Sequence, residues 1–389
     1  MSFPIIPKEE YLLRWKAVQR LMDEDSLDVL FAYSDDRFTY GNAYARYYAN
    51  FPAAFEPVLI LFTRTGNPIL LTGPESDGYA AQVGVIDDIR VLEEFAHADE
   101  DYPFSVLMNL TDVLADVLPA PPRKVGITCP NLMDSNTSKV IRNAVGNAEV
   151  VDVDDAVSNL RKLKSDAEIT MIRHAYQIAI KGMEAAVAAI APGVTERQIA
   201  AEAEYAMRKM GSDGTGIDTI VASGPNTKHV LARATNRLVQ ENDVVIVTVA
   251  PRYEGYHGAI GRTILVGEPD PRILEILSSQ EKAQETCSRA IVPGKRGADV
   301  ERLARETMAS VGYGQNFLYS GLHSIGMIEF EPPILGPSST MHLAKNMVVS
   351  IDVPTFETPV GGCRTEDGYL VTDTGVEPLT ADIARIIRK

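Results

Sequence analysis

Hydrophobic and polar positions follow two different patterns along the chain. In the first part, short apolar stretches such as "LDVLFAY" and "EPVLILFT" are separated by segments of helical spacing, beginning with "EEYLLRWKAVQRLMDED". Strands that alternate with helices predict an α/β domain. This pattern ends near "VSNLRKLKSDAEI", and we therefore place a first domain over residues 1–160 and a second over residues 161–389.

Helix-start signals open the second domain. Ser165 begins an S-D-A-E capping box in which Glu168 reaches back to the cap, and the helical segment "EITMIRHAYQIAIKGMEAAVAAI" follows it. Pro192 and Gly193 close that segment, and a second box, T-E-R-Q from Thr195, opens "ERQIAAEAEYAMRKMG". The second domain is therefore expected to start with a pair of capped helices.

The pattern of this helix pair recurs in "VPGKRGADVERLARETMASVG", about a hundred residues further on. The matched positions are Pro192 with Pro293, Gly193 with Gly294, Ile199 with Val300, Met207 with Met308 and Gly211 with Gly312. The shared register favours an internal duplication over a coincidence of helix-start signals. We therefore predict two helix-and-hairpin halves with a pocket between them.

A hairpin is predicted over residues 247–267, "VTVAPRYEGYHGAIGRTILVG". Its first strand is apolar on both faces, which predicts that this strand is buried. Turns in this position often carry acids for chemistry, yet the only acid here is Glu254, at the bend. The hairpin therefore offers a buried site without reactive groups of its own.

Composition and charge narrow the class of function. Of the 389 residues 45% are hydrophobic and 23% are charged, as in an ordinary globular protein, and the net charge of −16 disfavours nucleic acid and anionic membranes as partners. The three cysteines have no CxxC spacing, which favours free thiols in a reducing compartment. The start of the chain lacks the pattern of a signal peptide, and no apolar run has the length of a membrane span. We expect a cytoplasmic protein.

Six motifs in a fixed order resemble a known family: "RKLKSDAEITMIRHA", "ASGPN", "NDVVIVTVAPRYEGYHGAIGRT", "LHSIGMIEFEPP", "NMVVSIDVP" and "CRTEDGYLVTDTG". From about Arg161 to the C-terminus the chain resembles the pita-bread fold of the creatinase, aminopeptidase P and methionine aminopeptidase superfamily. The first domain is similar to the family's creatinase-type N-terminal domain. The resemblance implies an α/β domain followed by an α+β pita-bread domain with an internal two-fold duplication.

The resemblance also implies where a metal centre would lie. The family's peptidases hold two metal ions with two aspartates, a histidine and two glutamates, and these positions fall here on Thr248, Ala259, His323, Asp352 and Glu366. Both hairpin aspartates are missing, and a pair of divalent ions needs several carboxylates to offset its charge. We therefore expect no binuclear centre and no metal cofactor.

Other family positions also differ from the peptidase pattern. Phe330 replaces the histidine before the glutamate of the "HE" pair, and an earlier catalytic histidine would fall near Leu231. The nearest histidine there, His229, lies two residues out of register. Creatinase also lacks both hairpin aspartates, but its glutamate in "ERT" is Gly261 here. These differences favour a metal-independent, creatinase-like hydrolase that cleaves a C–N bond (amidine, cyclic amidine or amide) of a small polar compound.

Catalytic roles are assigned to three residues within that hypothesis. His323 is the general acid and base, because a neutral imidazole accepts and donates protons near pH 7. Glu366 and Asp352 orient it or bind a substrate cation, although an ion pair of Asp352 with Arg364 is the structural alternative. Asp367 points to the other face of its strand and is expected to be a solvated acid.

Further residues are expected to line the substrate pocket, and the first domain is expected to close the pocket of the second copy in a homodimer. These pocket residues are Glu331, His257, Tyr256, Thr248, His229, Arg364, Arg46 and Tyr47. For the stretch "ARYYANF", which contains Arg46 and Tyr47, the alternative is an exposed aromatic loop. For His257 and Tyr256 the alternative is exposure to solvent.

Three other functions stay open. One divalent metal held by His323, Asp352 and Glu366 is an acceptable catalytic site, as in an Xaa-Pro aminopeptidase or dipeptidase. A lyase acting on a small sulfonium or ammonium zwitterion is the second alternative. The third is a non-catalytic binding protein, since the pita-bread fold also occurs as an interaction module.

Overall fold

The computed structural model of the chain describes residues 3–37 and 40–389, so Met1, Ser2, Phe38 and Thr39 lie outside the described residues. It divides into two compact units. The N-terminal unit is Ile6–Arg161, and the C-terminal unit is Lys162–Lys389 together with the described residues up to Ile5. Within the described ranges, no helix has both the length and the apolar content to cross a membrane.

Helices and strands alternate in the N-terminal unit, as the sequence pattern predicts. The helices are α1 (Lys8–Glu24), α2 (Ala43–Ala49), α3 (Asp77–Val83), α4 (Leu110–Val117), α5 (Ser135–Val145) and α6 (Asp154–Asn159). The strands are β1 (Val29–Ser34), β2 (Val58–Thr63), β3 (Ile69–Thr72), β4 (Ile89–Leu92), β5 (Leu107–Met108), β6 (Lys124–Ile127) and β7 (Glu149–Asp152). They form one mixed sheet in the order β5-β4-β3-β2-β1-β6-β7. Strands β1 and β2 form its apolar centre, because both are apolar on both faces.

The stretch "ARYYANF" forms most of helix α2 rather than an exposed loop. Tyr47 is buried, with the guanidinium of Arg14 4.1 Å from its ring centroid. Arg46 is also buried, and its Nη1 donates to Asn50 Oδ1 over 3.3 Å. The alternative of an exposed aromatic loop is therefore wrong, because these side chains pack within their own unit. Their role in closing a partner's pocket stays a prediction.

Both predicted capping boxes are present in the C-terminal unit. Helix α7 (Asp166–Ala189) starts at Ser165, whose side chain and that of Glu168 cap each other's backbone N–H groups. Helix α8 (Glu196–Lys209) starts in the same way at Thr195 and Gln198. The other helix pair is α9 (Pro271–Ala290) and α10 (Gly297–Ser310), and each helix packs against the other member of its pair.

One large sheet lies at the centre of the C-terminal unit, in the order β15-β14-β16-β17-β13-β10-β9. Its strands are β9 (Ile220–Ser223), β10 (Val244–Val249), β13 (Ile260–Leu265), β14 (Leu322–Ser324), β15 (Glu331–Ile334), β16 (Val348–Thr358) and β17 (Gly361–Val371). Strand β18 (Val376–Pro378) pairs with β17, and β19 (Ile386–Arg388) pairs with β13. Three short strands, β8 (Gly214–Thr215), β11 (Pro251–Tyr253) and β12 (Tyr256–His257), form a separate sheet.

The order of these strands confirms the predicted duplication. From the sheet centre outwards, β13, β10 and β9 of the first half mirror β17, β16 and β14 of the second. The two turns after the first helix of each half also match, since Gly193 N donates to Val239 O and Gly294 N donates to Leu343 O. Both glycines have positive φ values, 87° and 86°, which explains why glycine stands at both positions. The two halves meet where β13 pairs with β17.

Candidate active site

A row of side chains crosses the centre of the sheet on one face. Thr248 pairs with Gly261, Gly261 with Glu366, and Glu366 with Asp352 across successive antiparallel strands. Directly paired residues share a face, and so do residues two positions apart on one strand. His323 pairs with Ser350, which is two positions from Asp352, so the imidazole belongs to the same face. Residues of the two halves therefore converge on this row.

The hairpin contributes little chemistry to the row. Its first strand, β10, is buried along its whole length, as predicted. The buried hydroxyl of Thr248 has no hydrogen-bond partner among the described residues, and Ala259 is fully buried. Glu254 lies in the turn with a φ of 47°. At the two positions where the family's peptidases have aspartates, this chain has a neutral hydroxyl and a methyl group.

Three buried side chains form a potential metal-binding cluster: His323, Glu329 and Glu366. One nitrogen or carboxylate oxygen from each lies within 4.8 Å of the others. Imidazole and carboxylate are both common ligands of divalent transition metals. The cluster therefore has the chemistry and the compactness of a three-ligand site.

A hydrogen bond to the backbone fixes the tautomer of His323. Its Nδ1 lies 2.9 Å from the carbonyl oxygen of Ser324, and a carbonyl only accepts, so Nδ1 carries the hydrogen. The lone pair is then on Nε2. A metal-binding histidine usually donates its other ring N–H to a carbonyl or carboxylate in this way.

Glu366 has one carboxylate oxygen engaged and one available. Ser350 Oγ donates to Oε1 over 2.8 Å, whereas Oε2 is buried without a hydrogen bond among the described residues and lies 3.4 Å from Arg364 Nη2. Burial raises the pKa of Glu366 to about 8, with Arg364 opposing the shift and Asp352 and Glu329 adding to it. Without a further cation this carboxylate is held in an environment that disfavours its charge.

Glu329 is the member of the cluster that the sequence analysis missed. It is 5% exposed, and burial raises its pKa, against the opposing effects of His323 and Arg364. It stands in "GMIEFEPP", two positions before Glu331, and the family pattern assigns a role to Glu331 as the glutamate of the "HE" pair but none to Glu329. Its sequence does contain one signal, which is an acid next to apolar residues. Such an acid needs a partner when it is buried.

Asp352 is not part of the metal-binding cluster, and this corrects the predicted ligand set of His323, Asp352 and Glu366. Its Oδ2 accepts from Arg364 Nη2 over 2.6 Å and from the Tyr319 hydroxyl over 2.6 Å, and Oδ1 accepts from Arg364 Nε over 3.2 Å. Both oxygens are thus engaged by the predicted alternative partner, Arg364. Glu329 takes the place of Asp352 in the cluster.

The charges on this face do not balance. Glu329, Asp352 and Glu366 are buried acids, whereas the buried cation that contacts two of them is Arg364. With all three carboxylates ionised and His323 neutral, the group carries a net charge of about −2, and buried charge is costly without compensation. One divalent cation would supply the missing charge.

The other predicted pocket residues of the C-terminal unit are spread over several environments. Glu331 forms a buried ion pair with Lys164 at 2.7 Å. The buried Tyr256 hydroxyl donates to Glu168 Oε1 over 3.1 Å, so exposure of this side chain is wrong. His229 is exposed and does not belong to the metal-binding cluster.

His257 is buried, which overturns the alternative of exposure. Its Nδ1 lies 3.0 Å from the Gly326 carbonyl and therefore carries the hydrogen, while the buried Nε2 has no partner among the described residues. A Cβ on Gly216 would lie 2.3 Å from His257 Cδ2 and 3.0 Å from Glu329 Cβ, which places the imidazole beside the metal-binding cluster. Burial lowers the pKa of His257 to about 4, so Nε2 is an acceptor at neutral pH.

Asp367 is buried on the opposite face of β17, which contradicts its predicted exposure to solvent. Arg262 Nη2 donates to Oδ1 over 2.6 Å, and Arg385 Nε donates to Oδ2 over 2.7 Å. Burial alone would raise the pKa of Asp367, but the two arginines outweigh it and the pKa lies below its ordinary value. The period-two rule gives the face correctly, but that face is also covered.

Comparison with known proteins identifies both units. Residues 170–373 match the profile of the Metallopeptidase family M24, and residues 14–163 match the Creatinase/Prolidase N-terminal domain. An Xaa-Pro dipeptidase of Pyrococcus furiosus is 33% identical over 228 residues, which are 59% of this chain and 66% of that protein. An uncharacterized peptidase of Bacillus subtilis is 32% identical over 250 residues, 64% of this chain and 71% of that protein.

Solved structures give the same result. The prolidase from Pyrococcus horikoshii superposes with a TM-score of 0.82 at 25% identity, covering 95% of this chain and 98% of that one. An Xaa-Pro dipeptidase from Bacillus anthracis has a TM-score of 0.82 at 27% identity, covering 97% and 100%. The predicted superfamily and fold class are thereby confirmed.

Two expectations are wrong in the light of these relatives. The relatives are named as Xaa-Pro dipeptidases, a prolidase and a peptidase, and the family as metallopeptidases, which contradicts a metal-independent, creatinase-like hydrolase. The expectation of no metal cofactor fails for the same reason, and the cluster of His323, Glu329 and Glu366 supplies ligands of the required kind. The chain belongs to the Metallopeptidase family M24.

Proposed function

We propose that the protein is a metal-dependent hydrolase that cleaves the C–N bond of a small peptide, with its active site in residues 161–389. The observation that carries this proposal is the charge of the buried face. Three buried acids face one arginine, so ionisation of all three acids would leave a net charge of about −2 beside three ligands of a compact site. A single divalent ion matches that deficit.

The ligands of this ion are His323, Glu329 and Glu366. Oε2 of Glu366 has no hydrogen bond among the described residues, and Nε2 of the imidazole carries the lone pair because Nδ1 holds the hydrogen. Three protein ligands leave a coordination position open, as in catalytic sites rather than structural ones. When bound there, a divalent ion supplies a Lewis acid that polarises the carbonyl of the bond to be cleaved.

His257 is proposed to bind the substrate beside these ligands. Its Nε2 is a buried acceptor near Glu329, and the hydrogen on Nδ1 is fixed by the Gly326 carbonyl. An N–H group of a peptide is the donor that such an acceptor requires. The pKa of about 4 keeps the imidazole neutral, so it holds the substrate rather than carrying a charge.

The substrate class is proposed from the names of two of the relatives, which are Xaa-Pro dipeptidases. We therefore take dipeptides ending in proline as the first substrates to test. The homodimer and the cytoplasmic location expected from the sequence stay predictions.

The test is hydrolysis of a panel of Xaa-Pro dipeptides by protein reloaded with Mn²⁺, Co²⁺ or Zn²⁺ after chelation. We expect Glu329→Gln and His323→Asn to lose at least about a hundredfold in kcat/KM, together with the bound ion. The control is His342→Asn, because His342 is exposed and lies outside the metal-binding cluster. Wild-type protein that binds no divalent ion and hydrolyses no peptide under these conditions would refute the proposal.

A further inference from the structure

A tyrosine from helix α7 reaches the face of the sheet that carries the candidate site. Tyr176 is buried, with 1% of its surface exposed. A Cβ at position 368 would lie 2.0 Å from Tyr176 Oη and 2.1 Å from Cζ, so the tip of the ring occupies the space that a side chain at Gly368 would need. Gly368 is two positions from Glu366 on β17 and pairs with Ser350, so it belongs to the face of these two residues. The phenol therefore lies on the site face.

The hairpin leaves space for this ring. A Cβ at position 258 would lie 2.7 Å from Tyr176 N and 2.9 Å from Tyr176 Cα, so Gly258 packs directly on the backbone of α7. The next residue, Ala259, is fully buried and stands at a position where the resemblance implies an aspartate. A larger side chain at Gly258 or Gly368 would displace the tyrosine. The small residues of the hairpin and of β17 thus allow the phenol to reach the site.

The Tyr176 hydroxyl is a donor for which the described residues supply no acceptor. The Ala259 backbone N–H acts on the phenol oxygen, but an N–H only donates, so the hydroxyl hydrogen is still unpaired. Burial raises the pKa of Tyr176 well above its ordinary value, so the hydroxyl keeps its hydrogen at neutral pH. An unpaired buried donor lowers the stability of a protein, and its presence here favours a role in the reaction.

The phenol lies near two members of the metal-binding cluster. Besides burial, the charges of Glu366 and Glu329 raise the pKa of Tyr176, so both carboxylates lie within electrostatic reach of the ring. The neighbouring hydroxyl of Ser350 already donates to Glu366 Oε1 over 2.8 Å. The Tyr176 hydroxyl is by contrast a donor that remains available to a bound substrate.

Hydrolysis of a peptide bond creates negative charge on the carbonyl oxygen. As the oxygen of water bonds to the carbonyl carbon, the π electron pair of the carbonyl moves to its oxygen. When the C–N bond breaks, that pair forms the double bond again, and the leaving nitrogen takes a proton that the water has released. A fixed donor in a site without bulk water stabilises the charged oxygen between these two steps.

We propose that Tyr176 is a further catalytic residue, whose hydroxyl donates a hydrogen bond to the carbonyl oxygen of the bond to be cleaved while that oxygen carries the negative charge. This inference rests on the proposed hydrolase function and adds a residue to its active site. The phenol keeps its own proton throughout. Its place on the site face, its burial and its missing acceptor favour this role over packing alone.

The experiment is Tyr176→Phe in the full chain reloaded with Mn²⁺, because phenylalanine keeps the ring and removes only the hydroxyl. We expect kcat for the Xaa-Pro dipeptide that the wild type hydrolyses fastest to fall roughly a hundredfold, with KM changed by less than about threefold. The thermal midpoint should be at least as high as that of the wild type, since the variant loses an unpaired buried donor. The content of bound ion should not change.

Tyr369→Phe is the matched control, because Tyr369 is a buried tyrosine on the other face of β17. Its hydroxyl donates to Gln284 Oε1 over 3.3 Å and accepts from Arg385 Nη2 over 3.1 Å. We expect this variant to lower the thermal midpoint and to leave kcat unchanged. A kcat of Tyr176→Phe within about threefold of the wild type would overturn the inference. A rise in KM alone would also overturn it, because such a rise indicates a contact made equally before and during the reaction.

A second measurement does not depend on turnover. In a phosphinic analogue of the dipeptide, a tetrahedral phosphorus with anionic oxygens replaces the carbonyl carbon under attack, so the analogue resembles the charged state that Tyr176 is proposed to bind. Isothermal titration calorimetry should show at least about tenfold weaker binding to Tyr176→Phe than to the wild type, whereas Tyr369→Phe should bind like the wild type. Equal binding of the analogue to all three proteins would refute the role of Tyr176.

The two proposals fail in different ways. If the wild type hydrolyses an Xaa-Pro dipeptide and Tyr176→Phe does so equally fast, the function stands and the role of Tyr176 is refuted. If the wild type hydrolyses no peptide but binds the analogue at least about tenfold tighter than Tyr176→Phe does, the peptidase function is wrong and the donor role is supported. If the wild type neither hydrolyses a peptide nor binds the analogue, both proposals are wrong.

Discussion

Glu196→Gln tests a buried carboxylate that ties the start of α8 to strand β9. Oε1 accepts from the backbone N and the hydroxyl of Ser223, both over 2.7 Å. Oε2 accepts from the backbone N and the hydroxyl of Thr235, over 2.9 and 2.5 Å, and Asn226 Nδ2 donates to both oxygens. Glutamine has the same shape as glutamate, but an NH₂ group replaces one of the two carboxylate oxygens.

The expected loss follows from these contacts. Hydroxyls can rotate to accept from the new NH₂ group, but a backbone N–H cannot, so either Ser223 N or Thr235 N faces a donor. Losing a bond to a charged group and leaving a buried donor unpaired costs about 2–4 kcal/mol. For a unit of this size, that corresponds to a fall in Tm of roughly 5–12 °C.

The pH dependence gives a second measurement. Burial alone would raise the pKa of Glu196, but the hydrogen bonds from Thr235 and Ser223 outweigh it, so the folded pKa lies below the ordinary 4.5. A lowered folded pKa stabilises the protein above the unfolded pKa, and that stabilisation is lost as the pH falls through the folded value. Since glutamine does not titrate, the gap between wild type and variant should be constant from about pH 6 to 8 and narrow below about pH 4.5.

The assay is urea unfolding followed by far-UV circular dichroism, with Glu202→Gln as the control because Glu202 is an exposed acid on the same helix. The control should change the free energy of unfolding by no more than about 0.5 kcal/mol. A Glu196→Gln protein as stable as the wild type at pH 7 would refute the reasoning. So would a gap that stays constant down to the acid limit of the assay.

Two further predictions concern packing around the site. Gly216→Ala should destabilise the protein by about 1–3 kcal/mol, because its Cβ would collide with His257 and Glu329. The control is Gly375→Ala, whose Cβ would have nothing within 4 Å and should therefore show no such packing penalty. Equal urea midpoints for the two variants would contradict this placement of His257. Gln284→Leu should lower the free energy of unfolding by about 2–4 kcal/mol, since the buried amide of Gln284 donates to Ile351 O over 2.6 Å and to Thr365 O over 2.9 Å. An unchanged midpoint of thermal unfolding would show that these bonds do not hold α9 to the sheet.

Local signals explain which parts of the fold could be predicted from the sequence. The starts of α7 and α8 are set by capping boxes within four residues, and the duplication is visible because its glycines mark equivalent turns. The burial of β10 follows from apolar residues on both faces. Each of these features depends on neighbouring residues or on a repeated pattern.

The candidate site depends on contacts between distant residues, and here the sequence was less informative. Asp367 was expected in solvent because its partners, Arg262 on β13 and Arg385 near the C-terminus, are brought to it only by the folded sheet. Glu329 was missed because the family pattern assigns it no role and its proximity to Glu366 is a result of folding. A charged residue within an apolar stretch predicts that a partner exists, but does not identify it.

The number of acids in the site determines how much positive charge the site needs. The pattern implied by the family's peptidases is four carboxylates around two divalent ions, which is a neutral set. This chain has Glu329, Asp352 and Glu366 on the buried face, with Arg364 among them. The charge of three ionised carboxylates is balanced by one guanidinium together with one divalent ion. The loss of acids at Thr248 and Ala259 therefore lowers the number of cations that the site needs, but not to zero. Because buried charge must be compensated, the same rule that makes two ions improbable here makes a single ion the arrangement that the site favours.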